Sequence, residues 1–238
     1  MASVSIGTRS VVGNVRRVNE DAVYVGENVW AVADGMGGHA AGDVASALAI
    51  ESVKDMDREG LTTNDVRAAL DAGNAAILTH GRRHPLQRGL GTTVTGLAGL
   101  VLDGLPRWAI FNIGDSRVYR FADGCLTRIT VDHSEVEQLV QDGVITEEQA
   151  RVHPARHMIT RSLGSLPAPE PDLWVLPQHA GERFLLCTDG LTNELTDDEI
   201  AGVLEAHDAT VAADQLVERA LAAGGRDNVS VIVVDVDK

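Results

Sequence analysis

The stretch TTVTGLAGLVLDGLPRWAIFNIGDSRVYRF, residues 92–121, contains three short apolar runs, at 92–102, 107–113 and 117–121. The first two runs flank Asp103-Gly104, and Asp-Gly between apolar runs is typical of a hairpin turn. The runs are rich in β-branched and aromatic residues, which favour strands. Because hairpins join antiparallel strands, this stretch predicts a mostly antiparallel sheet system rather than alternating βαβ units.

Other strand-like runs follow the same pattern. They are Val29 to Ala33, Arg183 to Thr188 and Val229 to Val236. Helical spacing is found over 40–56, from Asn64 as the predicted N-cap to Ile77, and over 209–223, and Thr196 forms a capping box with Glu199. Strands and helices therefore come in groups, which predicts an α+β protein of one domain and leaves the number of sheets open.

Residues 132–172 differ in character from the rest of the chain. Ser134 with Glu137 and Thr146 with Gln149 form two more capping boxes, each opening a helix of about 8–10 residues. Prolines then interrupt the chain up to Trp174. We interpret 132–172 as an insertion of short helices and irregular chain, and such segments often cover an active site.

The charge and the apolar runs of the chain exclude several classes of function. Its 238 residues carry 20 basic and 35 acidic side chains, which gives a net charge of −15. Nucleic-acid binding relies on clustered Lys and Arg, so this composition argues against it. No apolar run approaches the roughly 20 residues that cross a bilayer, and residues 1–12 lack the pattern of a signal peptide. We therefore expect a cytoplasmic protein that binds neither nucleic acid nor membrane.

The two cysteines, Cys125 and Cys187, form no zinc-binding or redox pattern. We expect both to be buried thiols.

Aspartates stand at the ends of strand-like runs, each with a glycine within two residues: Asp34, Asp115, Asp189 and Asp227. Any one of them alone fits a plain turn. Neighbouring strands could bring all of them to one sheet edge, where they would repel one another unless a cation compensated their charge. Oxygen ligands without cysteine or a histidine pair favour Mg²⁺ or Mn²⁺ over zinc. The pattern therefore indicates a site for hard cations.

The segment GMGGHA, residues 35–40, matches the G-x-G-x-x-A pattern of dinucleotide-binding proteins. In that fold, a second parallel strand ending in an acidic residue comes about 20 residues later. Here Asp55 lies in a helix-like stretch and another helix pattern follows it. We therefore do not favour dinucleotide binding, and the sequence has no Walker A or EF-hand pattern either.

Seven motifs occur in a fixed order along the chain. They are RRVNED (16–21), VADGMGGH (32–39), GTT (91–93), GDSR (114–117), DHS (132–134), CTDG (187–190) and GRDN (225–228). In type and order they resemble the bacterial PPM (PP2C-type) protein serine/threonine phosphatases, over about residues 5–236. The resemblance implies a single domain over 1–238, with a central antiparallel β-sandwich flanked by helix pairs on both sides. The insertion at about 132–172 falls where the flap of bacterial members lies.

The resemblance also implies metal ligands. Asp34 would bridge two Mn²⁺ or Mg²⁺ ions, with the carbonyl oxygen of Gly35 as a further ligand. The other implied metal residues are Asp189 and Asp227 at the second ion, Glu20 and Asp21 through metal-bound waters, and Asp115 together with Asp189 at a third, weaker site.

Arg16 and His39 join Asp34 as the implied catalytic residues. Arg16 is the expected phosphate clamp, because a guanidinium can hold two phosphate oxygens with its planar fork. His39 could protonate the leaving oxygen or hold a metal-bound water. Met36 stands where eukaryotic members carry the usual candidate histidine.

The implied activity is hydrolysis of phosphoserine and phosphothreonine on proteins by a water that two metal ions activate for direct attack on phosphorus. The expected partners are phosphorylated proteins, among them bacterial Ser/Thr kinases and their substrates, and the protein is expected to be a monomer. Two alternatives stay open: a phosphoprotein-binding regulatory module without turnover, and a phosphatase of small phosphate esters. The presence of every implied metal carboxylate argues against the first.

Overall fold

The computed structural model describes residues 3–37 and 41–237. The strands are β1 (Val4–Val11), β2 (Asp21–Val25), β3 (Val29–Met36), β4 (Gly91–Thr92), β5 (Val94–Leu102), β6 (Leu105–Ile113), β7 (Arg117–Ala122), β8 (Cys125–Arg128), β9 (Asp172–Pro177), β10 (Arg183–Cys187) and β11 (Val229–Val236). The helices are α1 (Gly42–Met56), α2 (Thr63–Arg83), α3 (Glu135–Gln141), α4 (Glu147–Arg151), α5 (Asp189–Thr192), α6 (Asp197–Ala206) and α7 (Ala209–Ala223). Among these helices, none combines the length and the apolar character needed to cross a membrane.

The strands form two sheets, and the pairings between the described strands are antiparallel, as predicted. One sheet has the order β1-β11-β10-β7-β8, and the other has the order β2-β3-β5-β6-β9, with β4 paired to the end of β3. The turn between β5 and β6 confirms the predicted hairpin. Asp103 and Gly104 both have positive φ, 53° and 75°, which is the geometry of a type I′ turn.

The two sheets pack face to face over an apolar layer. Trp30 and Trp108 of the six-stranded sheet meet edge to face with ring centroids 6.0 Å apart. Trp108 also meets Phe184 of the five-stranded sheet at 5.8 Å. All three side chains are buried, and each such aromatic contact contributes roughly 0.5–1.5 kcal/mol beyond burial. This layer fixes the position of one sheet on the other, and therefore where their strand ends meet.

Helices cover the outer faces of both sheets. On the six-stranded sheet, α1 and α2 bury Val53 and Leu70 in one apolar cluster. On the five-stranded sheet, α6 and α7 bury Ile200 and Leu216 in another. The predicted α+β fold, a β-sandwich with helix pairs on both sides, is confirmed.

The start of α2 differs from the prediction, because Thr62 and not Asn64 is its N-cap. The Thr62 Oγ1 atom accepts a hydrogen bond from the backbone N–H of Asp65 at 3.3 Å. The Asp65 Oδ2 atom in turn accepts from the backbone N–H of Thr62 at 2.8 Å. This reciprocal capping box satisfies two backbone donors at the helix start.

The sequence patterns did not predict β1, β2 and β9, and these are three of the four strands at the edges of the two sheets. An edge strand has a neighbour on one side only and carries more exposed residues, so its apolar pattern is weaker. The same difference between central and edge strands explains why one cysteine is buried and the other is exposed. Cys187 in the central strand β10 is buried as predicted, whereas Cys125 at the start of β8 is exposed.

The segment 132–172 contains two helices, α3 and α4, of seven and five residues, which are shorter than predicted. Thr146 and Gln149 form a full capping box. Ser134 caps α3, but the carboxylate of Glu137 binds Arg128 at 3.0 Å instead of returning to Ser134. A bridge between Ser134 and Ile159 joins the two ends of the helical part.

Candidate active site

The predicted carboxylates meet where the two sheets face each other. Asp34 on β3 lies directly opposite Asp21 on β2. From the other sheet, Asp189 follows β10 and Asp227 precedes β11. The charge of Asp189 helps to raise the pKa of Asp34, together with the charges of Asp21, Asp115 and Asp227. Acidic residues from both sheets therefore share one small region.

Asp21 connects the two sheets through hydroxyl groups. Its Oδ2 atom accepts hydrogen bonds from Thr188 Oγ at 2.9 Å and from Ser230 Oγ at 2.7 Å. Both donors belong to the five-stranded sheet side, whereas Asp21 belongs to the six-stranded sheet. The second oxygen, Oδ1, is buried and has no partner among the described residues.

Asp115 lies on the turn between β6 and β7, directly after Gly114, whose φ is 111°. Only glycine fits this position, since its φ is unfavourable for other residues and an added Cβ would lie 2.5 Å from Thr93 Cγ2. A chain of hydroxyl groups links this turn to Asp34. The backbone N–H of Asp34 donates to Thr93 Oγ1 at 2.9 Å, and Thr93 Oγ1 lies 2.8 Å from Ser116 Oγ.

The end of β3 and the start of α1 approach each other closely beside Glu20. A Cβ added to Gly35 would lie 2.0 Å from the carbonyl oxygen of Gly42. A Cβ added to Gly42 would lie 2.6 Å from Glu20 Oε1 and 2.7 Å from the Gly35 carbonyl oxygen. The structure thus brings the Glu20 carboxylate and the Gly35 carbonyl, two of the implied metal-binding groups, to the same place.

Burial and mutual repulsion hold the pKa values of these carboxyl groups high. Burial, together with the charges of the nearby Asp189 and Asp227, raises the pKa of Asp21 from 3.8 to about 7. Burial also raises the pKa of Asp34 and Asp115 well above the usual range, with added repulsion from neighbouring aspartates in both cases. The pKa of Asp189 is raised by burial and by Asp227. A cation at this place would offset the repulsion and favour the charged forms.

The donor set fits hard divalent cations. Asp21, Asp115 and Asp189 each keep one buried carboxylate oxygen without a hydrogen-bond partner in the part of the chain that the structure describes. Carboxylate and carbonyl oxygens are the ligands that Mg²⁺ and Mn²⁺ prefer. In residues 3–37 and 41–237, however, no three His, Cys, Asp or Glu side chains already converge as metal ligands. Side chains such as Asp21 and Asp227 would therefore exchange their present partners on binding an ion.

Arg16 is the present partner of Asp227. Its Nη2 atom lies 2.7 Å from Asp227 Oδ2, and this hydrogen bond is the main reason why the pKa of Arg16 is raised. The Arg16 side chain is 49% exposed, so the guanidinium can also reach solvent. The structure thus pairs the implied phosphate clamp with an implied metal ligand.

The motif GRDN contains a further site residue, Asn228, for which the sequence alone predicts no role. Its Oδ1 atom accepts from the backbone N–H of Glu20 at 2.8 Å. Its Nδ2 atom donates to the carbonyl oxygens of Val12 and Val18 at 2.9 and 3.0 Å. Asn228 therefore holds the loop that carries Arg16 and Glu20 against the start of β11.

A cavity of about 280 Å³ extends from the carboxylates toward the segment 132–172. Asp115 and Asp189 line it on one side, and Val136, Glu147 and Arg151 of α3 and α4 line it on the other. His39, the implied proton donor, lies outside the described residues.

Known proteins are similar to this chain in both sequence and fold. The sequence model of the family described as Protein phosphatase 2C matches residues 15–223. A serine/threonine protein phosphatase of Mycobacterium tuberculosis, PstP, is 43% identical over 231 residues, which are 96% of this chain and 44% of PstP. The serine/threonine phosphatase stp of Listeria monocytogenes is 34% identical, over 94% of this chain and 93% of that protein.

Among solved structures, the catalytic domain of serine threonine protein phosphatase PstP in complex with two manganese ions superimposes with a TM-score of 0.90. Its sequence is 40% identical, and the match covers 99% of each chain. This chain spans less than half the length of the full PstP protein that it matches. The family match and the Listeria relative cover nearly all of the chain, and on that evidence the chain belongs to the protein phosphatase 2C family.

Proposed function

We propose that this chain is a metal-dependent phosphatase that removes phosphate from phosphoserine and phosphothreonine on proteins, and that it opposes Ser/Thr kinases. The observation that carries the proposal is the group of carboxylates from both sheets, of which Asp21, Asp115 and Asp189 each keep a buried oxygen without a partner among the described residues. Burying such charges together is costly unless cations compensate them. The relatives named as serine/threonine phosphatases support the substrate class.

The metal in this proposal is Mn²⁺ or Mg²⁺, and the manganese in the PstP structure supports Mn²⁺. The residues that would hold two ions are Asp34, the Gly35 carbonyl, Asp189, Asp227, Glu20 and Asp21, with Asp115 and Asp189 at a third, weaker site. When bound, the ions lower the pKa of water so that water can attack phosphorus near neutral pH.

The protein residues would bind the substrate and supply protons. Arg16 binds the phosphate oxygens through its planar fork once its hydrogen bond to Asp227 opens. His39 is our candidate for the residue that protonates the leaving seryl or threonyl oxygen. Residues 132–172 act as a flap within a single domain, and the cavity that α3 and α4 share with Asp115 and Asp189 supports that role.

Two other functions remain as outcomes of the test. A phosphoprotein-binding module without turnover would need no metal carboxylates, yet every implied one is present. A phosphatase of small phosphate esters would use the same carboxylates, so only a comparison of substrates distinguishes it.

The test is hydrolysis of a phosphothreonine peptide by the purified chain with Mn²⁺, with Mg²⁺ and with EDTA. We expect phosphate release with metal and none with EDTA, and Asp34→Asn serves as the inactive control. No release with either metal from a folded protein would contradict the phosphatase proposal. A much higher kcat/KM for a small aryl phosphate than for phosphopeptides would favour the small-ester alternative.

A further inference from the structure

His133 clamps the backbone of the turn that carries Asp115. The His133 side chain is only 5% exposed. Its Nδ1 atom lies 3.1 Å from the backbone nitrogen of Gly114, and its own backbone N–H donates to the carbonyl oxygen of Gly114 at 2.9 Å. Both polar backbone groups of Gly114 are therefore bound to one residue, 19 positions away in sequence.

The contacts of the ring fix its tautomer. A backbone N–H can only donate, so Nδ1 must be the acceptor of the Gly114 bond and carries no proton. The proton is then on Nε2, which lies 3.2 Å from Asp172 Oδ2 and can donate to it. Arg161 Nη1 also lies near Nε2, at 3.1 Å, and donates to Asp172 Oδ1 at 2.7 Å. Asp172 thus accepts from both groups and keeps the imidazole oriented toward Gly114.

The same residue is bound to the base of the segment 132–172. The His133 carbonyl oxygen accepts from the backbone N–H of Thr160 at 2.8 Å. Asp172 is the first residue of β9, at the other end of the segment. His133 therefore stands between the turn of Asp115 and both ends of the segment that would form the flap.

Asp115 itself has little else to hold its carboxylate. Its Oδ1 atom is buried and has no hydrogen-bond partner among the described residues. The orientation of this carboxylate then depends on the backbone of its turn, which includes Gly114 with its φ of 111°.

We propose that His133 is a positioning residue for Asp115: through Nδ1 and its backbone N–H it fixes the Gly114 turn, and so it sets the affinity of the metal site to which Asp115 contributes. This inference rests on the proposed function for the identity of the ion. It adds a residue that touches neither metal nor substrate and that connects the Asp115 turn to the flap.

Two substitutions of His133 distinguish the role of Nδ1 from that of Nε2. In His133→Asn, the side-chain oxygen can take the place of Nδ1 and accept from Gly114. In His133→Gln, the longer amide reaches the position of Nε2 and Asp172 but loses the bond to Gly114. Residues that orient metal ligands typically change metal affinity by about 10–100-fold.

The measurement is calorimetric titration of metal-free protein with Mn²⁺. We expect His133→Gln to weaken the weakest Mn²⁺ site about tenfold or more and to leave the tighter sites unchanged. We expect His133→Asn to remain within about threefold of the unsubstituted protein at every site. Equal weakening by both substitutions, unchanged binding in His133→Gln, or no third site in the unsubstituted protein would overturn the proposal.

A second measurement needs no substitution and covers the case in which His133→Gln fails to fold. Coupling between two sites is reciprocal, so an ion bound at Asp115 must stabilise the clamp on Gly114. Hydrogen exchange at the Gly114 amide should slow when Mn²⁺ is raised from two equivalents to saturation, and an unchanged rate would overturn the proposal. Phosphopeptide hydrolysis, measured separately, decides the proposed function without deciding the role of His133.

Discussion

The guanidinium of Arg16 lies 2.7 Å from a carboxylate oxygen of Asp227. A residue implied in phosphate binding and a residue implied in metal binding thus neutralise each other. A metal ion on Asp227 and a phosphate on Arg16 would each replace one half of this ion pair. Binding of metal should therefore release Arg16 for the substrate.

Replacing Arg16 should affect substrate and metal in opposite directions. In Arg16→Ala, we expect KM for a phosphopeptide to rise about 10–100-fold, because a charge-assisted hydrogen bond contributes roughly 1.5–3 kcal/mol. Mn²⁺ should bind more tightly, since Asp227 loses a competing cation. Arg16→Lys is the control that keeps the charge without the fork, and it should give an intermediate KM. An unchanged KM in Arg16→Ala would contradict the clamp. Because the pair is partly exposed, with side-chain exposures of 49% and 28%, the free energy of unfolding should change by less than about 1 kcal/mol.

Asp34→Asn should lower the rate of hydrolysis and raise the stability of the metal-free protein. We expect hydrolysis to fall at least about a hundredfold, because the substitution removes the carboxylate that would bridge the ions. The metal-free variant should nevertheless unfold at a higher temperature, since burial and four neighbouring aspartates disfavour the charged form of Asp34. Thermal unfolding in EDTA measures the second effect. A lower unfolding temperature would show that Asp34 stabilises the metal-free fold.

The metal-free protein should lose stability as the pH rises from about 4 to 7. In this range a raised carboxyl pKa means that the folded state binds more protons than the unfolded state, so the free energy of unfolding decreases with pH. Asp21, with its pKa raised from 3.8 to about 7, defines the window. Urea unfolding at several pH values in EDTA gives the slope, which Asp21→Asn should reduce. Saturating Mn²⁺ should reverse the sign of this slope, and a slope unaffected by Mn²⁺ would argue against metal binding by these groups.

The lowered pKa of His133 acts in the opposite direction, because its buried neutral form makes the folded state less able to bind a proton below about pH 6.5.

Asn228 should stabilise the loop of Arg16 and Glu20 mainly through its amide donors. Asn228→Ala leaves the Val12 and Val18 carbonyl oxygens without a donor, and we expect a loss of about 1–3 kcal/mol in the free energy of unfolding together with a higher KM. Asn228→Asp keeps the acceptor for Glu20 N–H but loses both donors. If the donors dominate, Asn228→Asp should be as damaging as Asn228→Ala. Full stability of both variants would rule out this role.

Gly35 should tolerate no side chain, whereas Gly202 should accept one. In Gly35→Ala the new Cβ would lie 2.0 Å from the backbone oxygen of Gly42, so either α1 or β3 must shift, at a cost of about 2 kcal/mol or more. Gly202 lies within α6, and among the described residues no atom outside its own stretch of helix lies within 4 Å of such a Cβ. Gly202→Ala is therefore the matched control and should stabilise the protein by about 0.5–1 kcal/mol. Chemical unfolding of both variants tests the pair.

The sequence predicted the interior of the fold better than its margins. The helix over 209–223 and the strand from Val229 to Val236 have the predicted bounds, because both bury a continuous apolar pattern. The edge strands β1, β2 and β9 escaped prediction. In β1, only Gly7 is fully buried, and the strand is defined by its pairing with β11 more than 200 residues away.

In the candidate site, the sequence likewise predicted some residues and missed the contacts between others. Asp34, Asp115, Asp189 and Asp227 could be found from the sequence because each stands at the end of a strand-like run with a glycine within two residues. The ion pair of Arg16 with Asp227 and the clamp of His133 on Gly114 could not. Both depend on which side chains face each other after the sheets have packed, and local patterns carry no information on contacts of that kind.

The pairing of β1 with β11 has a consequence for how the protein is made. Val4 pairs with Val236, and Val11 pairs with Val229, so β1 leaves the ribosome long before its partner β11 has been synthesised. Asp21 depends on the same late segment, because Ser230 is one of its two hydroxyl donors. Contacts of such long range form slowly. A nascent chain that stops before β11 would therefore lack the assembled carboxylate site, and activity would begin only after translation of this segment is finished.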